Sequence, residues 1–311
     1  MIRRLQWSVL LFMCLMIIIG SACAPKIDST LSASLQAADQ SGKTVTLDQA
    51  PERIISIAPM NTEIVYALGL QDKLVAVTDY CDYPPEARNK PRIGGFATPN
   101  IEQIVALHPD LVLATSQGEK TFLPQLTSRG IKVAVLAPKS LTDVLDAISI
   151  ISKLAGQDKT ANNLLKEMDR RIKAVAEKTI VLKPNQKPKV FYPIWHDPLM
   201  AGGAGTMHDE IISRAGGINI SGSLAGYANF SLEAVLQANP DIMIAGTAHG
   251  ADGSLTLGFL KNEPRLANTS ARLNNRIFEV DDNLVSRAGP RSVDGLEQVA
   301  HIIHPELFGS K

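Results

Sequence analysis

One segment of this chain occurs twice. Asn100-Ile101-Glu102-Gln103-Ile104-Val105-Ala106-Leu107-His108-Pro109-Asp110-Leu111-Val112-Leu113-Ala114 returns as Ser231-Leu232-Glu233-Ala234-Val235-Leu236-Gln237-Ala238-Asn239-Pro240-Asp241-Ile242-Met243-Ile244-Ala245. Glu102 and Glu233, and likewise Pro109 and Pro240, are 131 residues apart. Each copy opens on a polar helix-capping residue and an acid in the first turn, where the helix dipole favours negative charge. Pro-Asp then ends the helix, and a short apolar run suits a strand. A second pair, Thr62-Glu63-Ile64-Val65 leading to Gly69 and Asp209-Glu210-Ile211-Ile212 leading to Gly216, is offset by 147 residues. Strands are predicted ahead of that pair at Ile54–Ile57 and Val190–Ile194, and later at Val133–Leu136 and Ile277–Val280. Both halves therefore alternate strand and helix, which predicts an α/β fold of two Rossmann-like lobes with mainly parallel sheets. The unequal offsets give the first lobe 16 extra residues, among them Asp82-Tyr83-Pro84-Pro85-Glu86-Ala87.

Between the lobes, Leu141–Leu154 and Asp158–Lys178 carry apolar residues at helical spacing. The second puts Ala161, Leu164, Leu165, Met168, Ile172 and Val175 on one stripe. A long helix is a stiffer bridge than a pair of crossing strands. The expected divisions are a leader at 1–22, a tether at 23–43, a first lobe at 44–155, a bridging helix and linker at 156–187, and a second lobe at 188–311.

Arg3 and Arg4 precede an apolar run from Trp7 to Ile19 that is too short for a comfortable membrane span, and Gly20-Ser21-Ala22 suits a cleavage site. The order Gly20-Ser21-Ala22-Cys23 resembles the lipobox of bacterial lipoproteins. That resemblance implies a diacylglycerol on Cys23 and an exported, extracytoplasmic protein anchored to the cell membrane, on the periplasmic or outer face. Cys14 leaves with the leader, so Cys81 is the remaining thiol of the mature domain and no intramolecular disulfide can form. The stretch from Ala24 to Lys43 is rich in Ser, Ala and Gln and reads as a flexible tether. Basic and acidic residues both number 31, and losing Arg3 and Arg4 leaves a net charge of −2. A nucleic-acid binder would need a basic surplus.

The run Pro51-Glu52-Arg53-Ile54-Ile55-Ser56-Ile57-Ala58-Pro59, followed by Asn61-Thr62-Glu63, resembles the opening of substrate-binding proteins of ABC importers with a helical backbone, the class III periplasmic binding proteins. Tyr80-Cys81-Asp82-Tyr83-Pro84-Pro85-Glu86-Ala87 and the segment Asn100–Ala114 are most similar to the members that carry vitamin B12. Ser286-Arg287-Ala288-Gly289-Pro290-Arg291 matches the last lobe of the family. The resemblance implies a monomeric receptor, with neither catalysis nor cofactor. It would capture a corrinoid between its lobes and deliver it to a membrane permease dimer with ATPase subunits. A ferric siderophore or haem is the alternative cargo.

Ligands of open α/β sheets lie beyond the carboxyl ends of the strands. Aromatic residues make up only 5% of the chain, so their placement is informative. Tyr80 follows the apolar run Leu74–Val77, Phe96 lies in Gly94-Gly95-Phe96-Ala97, and Trp195 follows the expected strand Val190–Ile194. Phe96 and Tyr227 each stand six residues before the repeated glutamate, one ring per lobe. The resemblance implies that Tyr80, Phe96 and Tyr227 line a corrin site and that Asn283, or Asp282 beside it, touches the ligand. Stacked rings suit a flat, amide-fringed corrinoid, whereas a carboxylate-rich siderophore would want several cations. Arg92, Arg287 and Arg291 are the candidates, although Arg287 and Arg291 equally suit a structural role beside the Gly289-Pro290 turn.

His196 at the end of that strand is a further contact candidate, as a neighbour of the ligand or as an axial ligand to its metal. His301 and His304, one helical turn apart with no acidic partner expected, read as structural, so no protein-bound metal is expected. Gly202-Gly203-Ala204-Gly205-Thr206 lacks both dinucleotide spacing and a Walker lysine, and no nucleophile elbow is present. Glu102 and Glu233 hold the same place in the two copies, so pseudo-twofold symmetry puts one on each lobe. The resemblance implies that they meet arginines of the two membrane subunits.

Overall fold

The computed structural model describes residues 34–247 and 253–309. The leader, Cys23 and the first part of the expected tether lie outside the described residues. The tether also ends earlier than expected, because β1 (Leu35–Ala38) and β2 (Thr44–Leu47) form an antiparallel hairpin. At its turn the buried Asp39 carboxylate accepts from the N–H groups of Ser41, Lys43 and Val135 and from the Ser41 hydroxyl. Gln40 bonds the Asp143 carbonyl and the Ala137 N–H. These polar side chains anchor the hairpin to the first lobe instead of solvating a linker.

The first lobe runs β3 (Ile54–Ser56), α1 (Pro59–Ala67), β4 (Leu74–Val77), α2 (Ile101–Ala106), β5 (Leu111–Ala114), α3 (Leu123–Thr127) and β6 (Val133–Val135). Two helices follow, α4 (Leu141–Ala155) and α5 (Asp158–Thr179). The second lobe contains β7 (Lys189–Phe191), β8 (Pro193–His196), β9 (Leu199–Gly202), α6 (Met207–Arg214), β10 (Ile218–Asn219) and β11 (Tyr227–Asn229). It continues with α7 (Leu232–Ala238), β12 (Ile242–Gly246), α8 (Gly253–Asn262), β13 (Ile277–Val280) and α9 (Ser292–Ile303). The parallel sheets have orders β4-β3-β5-β6 and β10-β7-β12-β13, so the topology itself repeats.

The strand expected at Val190–Ile194 is in fact two. Pro193 has no N–H with which to continue the parallel ladder, and β8 turns away to pair antiparallel with β9, which pairs with β11. Trp195 and His196 therefore lie inside β8 and not beyond a parallel strand.

The sequence repeat is also a geometric one. Asn100 and Ser231 cap α2 and α7 by accepting from the N–H groups of Gln103 and Ala234 at 3.0 and 3.1 Å. His108 and Asn239 take left-handed φ values of 45° and 48° ahead of each Pro-Asp. Asp110 then accepts from the N–H groups of Glu52 and Arg53, and Asp241 from that of Lys189. Each aspartate ties the end of its helix to the start of the first strand in its sheet, which is why Pro-Asp recurs.

The central strands of both sheets are buried on both faces, as parallel sheets are, and successive residues point to opposite cores. Ile54, Leu111 and Leu113 of the first sheet and Val190, Ile242 and Ile244 of the second enter one shared core with α4, α5, α6 and α9. Ile55, Val112 and Ala114 pack on α2 and α3, while Phe191, Met243 and Ala245 pack on α7 and α8. The bridging helix α5 has 22 residues, about 33 Å at 1.5 Å per residue. It buries Ala161, Met168, Ile172 and Val175, and its Arg171 reaches Asp294 at 2.5 Å and Glu297 at 2.7 Å on α9.

One core serving both lobes should give one unfolding transition. Far-UV circular dichroism and Trp195 fluorescence should report the same urea midpoint. Arg171→Met should lower stability by about 1–3 kcal/mol without splitting that transition. Two separate midpoints would show that the lobes unfold independently.

Candidate functional site

Loops beyond the carboxyl ends of both parallel sheets meet one another. Asp82, after β4, pairs with Arg287, after β13. Glu63 on α1 accepts two bonds from Arg291, at 2.9 Å from Nε and 2.6 Å from Nη2. The Tyr83 ring stacks 3.6 Å from the Arg291 guanidinium. Asp82 and Tyr83 belong to the 16 extra residues of the first lobe, so that insertion reaches across to the second. Burial pushes the Glu63 carboxyl above its ordinary value, against the opposing pull of Arg291. Burial also opposes ionisation of Asp82, but the hydrogen bond and charge of Arg287 outweigh it and hold that carboxyl below its ordinary value. Arg92 spends its guanidinium on the carbonyls of Thr78, Cys81 and Arg88. All three arginines considered as ligand-binding cations are thus engaged within the protein.

The aromatic candidates fall into groups. Tyr80 and Phe96 meet edge to face with centroids 5.4 Å apart, and they are 55% and 37% exposed. Tyr227, on β11, is 49% exposed, yet its hydroxyl end turns inward to lie 3.2 Å from Nδ1 of the buried His208. Burial of that end, then the charge of Asp282, pushes the Tyr227 phenol up to about 12. Nε2 of His208 is 3.6 Å from Asp282, which also accepts from Tyr192 at 3.1 Å and from Ser286 at 2.6 Å. The buried Tyr192 phenol is raised well above its usual value by burial and by Asp282. Two glycines permit this packing. A Cβ on Gly202 would lie 3.2 Å from the Tyr227 ring and 2.9 Å from Thr206, and one on Gly246 would lie 2.6 Å from Asp282.

The Trp195 and His196 rings lie tilted against each other with centroids 5.0 Å apart on β8, the opposite edge of the small sheet from Tyr227. The Trp195 indole N–H donates to the Asp197 carbonyl. Asn283 donates to Asp281. Thus Tyr227 and Asp282 come together through His208, whereas Trp195 and Asn283 keep local partners and His196 packs against Trp195 and Phe259. Among the described residues no group of three metal-binding side chains is present. His301 bonds the Gly309 carbonyl. His304 bonds the Gly216 carbonyl and, contrary to expectation, has an acidic partner in Glu306 at 2.7 Å. The sequence did not single out His208, Tyr192 or Tyr83 for the site, nor Glu63 as the partner of Arg291. Their partners lie 19, 90 and 228 residues away for the bonds of His208, Tyr192 and Glu63, beyond any local pattern. Glu102 and Glu233 are both exposed in the first turns of α2 and α7.

Residues 54–284 match the periplasmic binding protein family, and the chain belongs to it. It is 32% identical over 275 residues to YvrC of Bacillus subtilis, an uncharacterized ABC transporter substrate-binding lipoprotein, covering 87% of this chain and 85% of that protein. Its structure is similar to the periplasmic vitamin B12 binding protein BtuF of Vibrio cholerae, with 30% identity, a TM-score of 0.70 and coverage of 81% and 96%. It is also similar to the periplasmic heme-binding protein RhuT from Roseiflexus in apo form, with 27% identity, a TM-score of 0.72 and coverage of 81% and 98%. The protein is therefore a substrate-binding protein of an ABC transporter, with class III architecture, and not an enzyme. Such proteins work with a membrane permease and its ATPase. No helix of the described residues is long and apolar enough to cross a membrane.

Arg291→Met would leave Glu63 buried without its cation, at a cost of about 3–5 kcal/mol. The native state would then hold a proton on Glu63 that the unfolded chain releases near pH 4.3, so stability should fall as pH rises above about 4 and recover on acidification. Urea unfolding should show a smaller deficit at about pH 5 than at about pH 8. A deficit independent of pH would place its source elsewhere.

Proposed function

We propose that the protein captures a corrinoid of the vitamin B12 type between its lobes. The observation that most supports this is the state of the arginines beside partly exposed rings. Arg92, Arg287 and Arg291 are already committed to carbonyls and carboxylates, while Tyr80, Phe96 and Tyr227 offer aromatic surface. Haem propionates or an acidic siderophore would have to draw Arg291 away from Glu63 and leave a buried charge. A corrin ring fringed by neutral amides makes no such demand. In this reading Tyr80 and Phe96 form the wall from the first lobe. Tyr227, backed by His208 and Asp282, forms the facing wall, with Trp195, His196 and Asn283 as outer contacts. The protein acts as an exported monomer anchored through a lipid on Cys23, in keeping with a lipoprotein relative.

Titrating purified protein with cyanocobalamin, haemin and a ferric siderophore tests the cargo. Cyanocobalamin should bind most tightly, and Tyr80→Ala, Phe96→Ala and Tyr227→Ala should each weaken it by about 1–3 kcal/mol. Tighter binding of haemin, or unchanged corrinoid affinity in all three variants, would overturn the assignment.

In the same reading Glu102 and Glu233 dock the protein on the two permease subunits. Both acids are exposed on helices with equivalent caps, so the pair can address a partner that is itself twofold. Interface charges guide association, and truncating a desolvated one costs about 2–5 kcal/mol. Glu102→Arg combined with Glu233→Arg should abolish uptake by cells while leaving ligand affinity and unfolding unchanged. Normal uptake by that double variant would refute the docking role.

A further inference from the structure

The stretch Lys178–Lys189 joins α5 to β7 and holds four lysines and no acid. At its centre Ile180 is 79% exposed and Val181 is 75% exposed, more than any other large apolar residue among those described. Ile218 on the edge strand β10 is 43% exposed, and its N–H bonds the Pro188 carbonyl at 2.8 Å, so it belongs to the same tip. Lys178 and Lys189 rest on the carbonyls of Leu307 and Ala238. The ammonium groups of Lys183 and Lys187 have no hydrogen bond or ion pair among the described residues. Asp241 and Glu306 line one cleft with Lys187, where Asp241 accepts from the Lys189 N–H and Glu306 pairs with His304, and Glu177 precedes Lys178, so the four lysines outnumber three acids at this tip.

The tip precedes β7, so it lies at the amino end of the second sheet, opposite the residues that follow the carboxyl ends of β10 and β13, Tyr227 and Arg287 among them. The chain joins the first lobe at the corresponding end. The hairpin turn at Asp39 meets Val135 at the carboxyl end of β6, and Leu35 lies beside Leu47 a few residues before β3. Ser34 is therefore directed toward the amino ends of the strands, so any tether leaving from there starts from the same end of the molecule as the lysine tip.

We infer that this tip is a membrane-contacting surface for an anionic phospholipid bilayer. Two protruding aliphatic side chains can enter the headgroup layer while the flanking lysines extend their ammonium groups to lipid phosphates. Lysines near an anionic bilayer add attraction that falls off within a Debye length. Resting tip-down, the protein holds the opposite end away from the membrane, open to solute; this consequence rests on the inter-lobe site proposed above, whereas the contact itself does not.

The test uses the full lipidated chain on vesicles of phosphatidylglycerol and phosphatidylcholine containing a nitroxide-labelled lipid. A fluorescent thiol probe is placed on the tip by Asn185→Cys, and a control probe at the other end by Gln117→Cys. Both positions are exposed, and Cys81 is fully buried. The tip probe should be quenched and the control probe should not. Lys183→Glu with Lys187→Glu, or high salt, should reduce the quenched fraction about tenfold or more. Flotation of the same samples reports the anchor on Cys23 separately. An unquenched tip probe on floated vesicles, quenching insensitive to lipid charge, or equal quenching at both ends would overturn the inference. So would contact between tip probes without vesicles, which would make a second copy of the chain the occupant.

Discussion

The apolar core filled from both sheets through α4, α5, α6 and α9 is the constraint on which the rest of the structure depends. Domains joined by a hinge have separate cores and few contacts between them. Here Ile54 and Val190, from sheets far apart in sequence, drain into one continuous core. A large rotation of one lobe against the other would expose apolar surface worth about 25 cal/mol per Å². The ion pair between Glu63 and Arg291 closes the same junction from the polar side. The lobes therefore present the residues between them as a largely preformed surface.

That junction also sets the charge between the lobes. Two lobes built from one repeated plan would be electrostatically alike, but the extra residues of the first lobe add Asp82 and Tyr83. They neutralise and cover Arg287 and Arg291 of the second lobe. Tyr80, Phe96 and Tyr227 keep exposed ring surface beside these engaged arginines. The second lobe backs its exposed ring with buried polar side chains, since Tyr227 leans on His208, and His208 lies against Asp282. Family membership makes the protein a receptor, and this charge pattern is what supports the corrinoid proposal over an acidic cargo.

Much of the fold is legible along the chain. The helices expected at Leu141–Leu154 and Asp158–Lys178 end within one residue of Leu141–Ala155 and Asp158–Thr179, because apolar spacing and caps act over a single turn. The duplicated segment gives the two parallel sheets and the equivalent glutamates, and its Pro-Asp recurs because the same local bond is made twice. The hairpin at Leu35–Leu47 was hidden because Asp39 and Gln40 look like linker residues until their partners near Val135 are known. The break after Tyr192 had a signal in Pro193, whose missing N–H ends the ladder.

The sequence by itself therefore determined the repeated strand and helix order, the bridging helix and the place of Tyr80 and Phe96 outside the strands, since each follows from neighbours within a few residues. Only the tertiary structure decided that Arg291 meets Glu63, that Arg287 meets Asp82, and that Tyr227 rests on His208. Those pairs are 228, 205 and 19 residues apart. A charged side chain reads the same in sequence whether water or a buried partner will satisfy it, and the packing of the two sheets makes that choice.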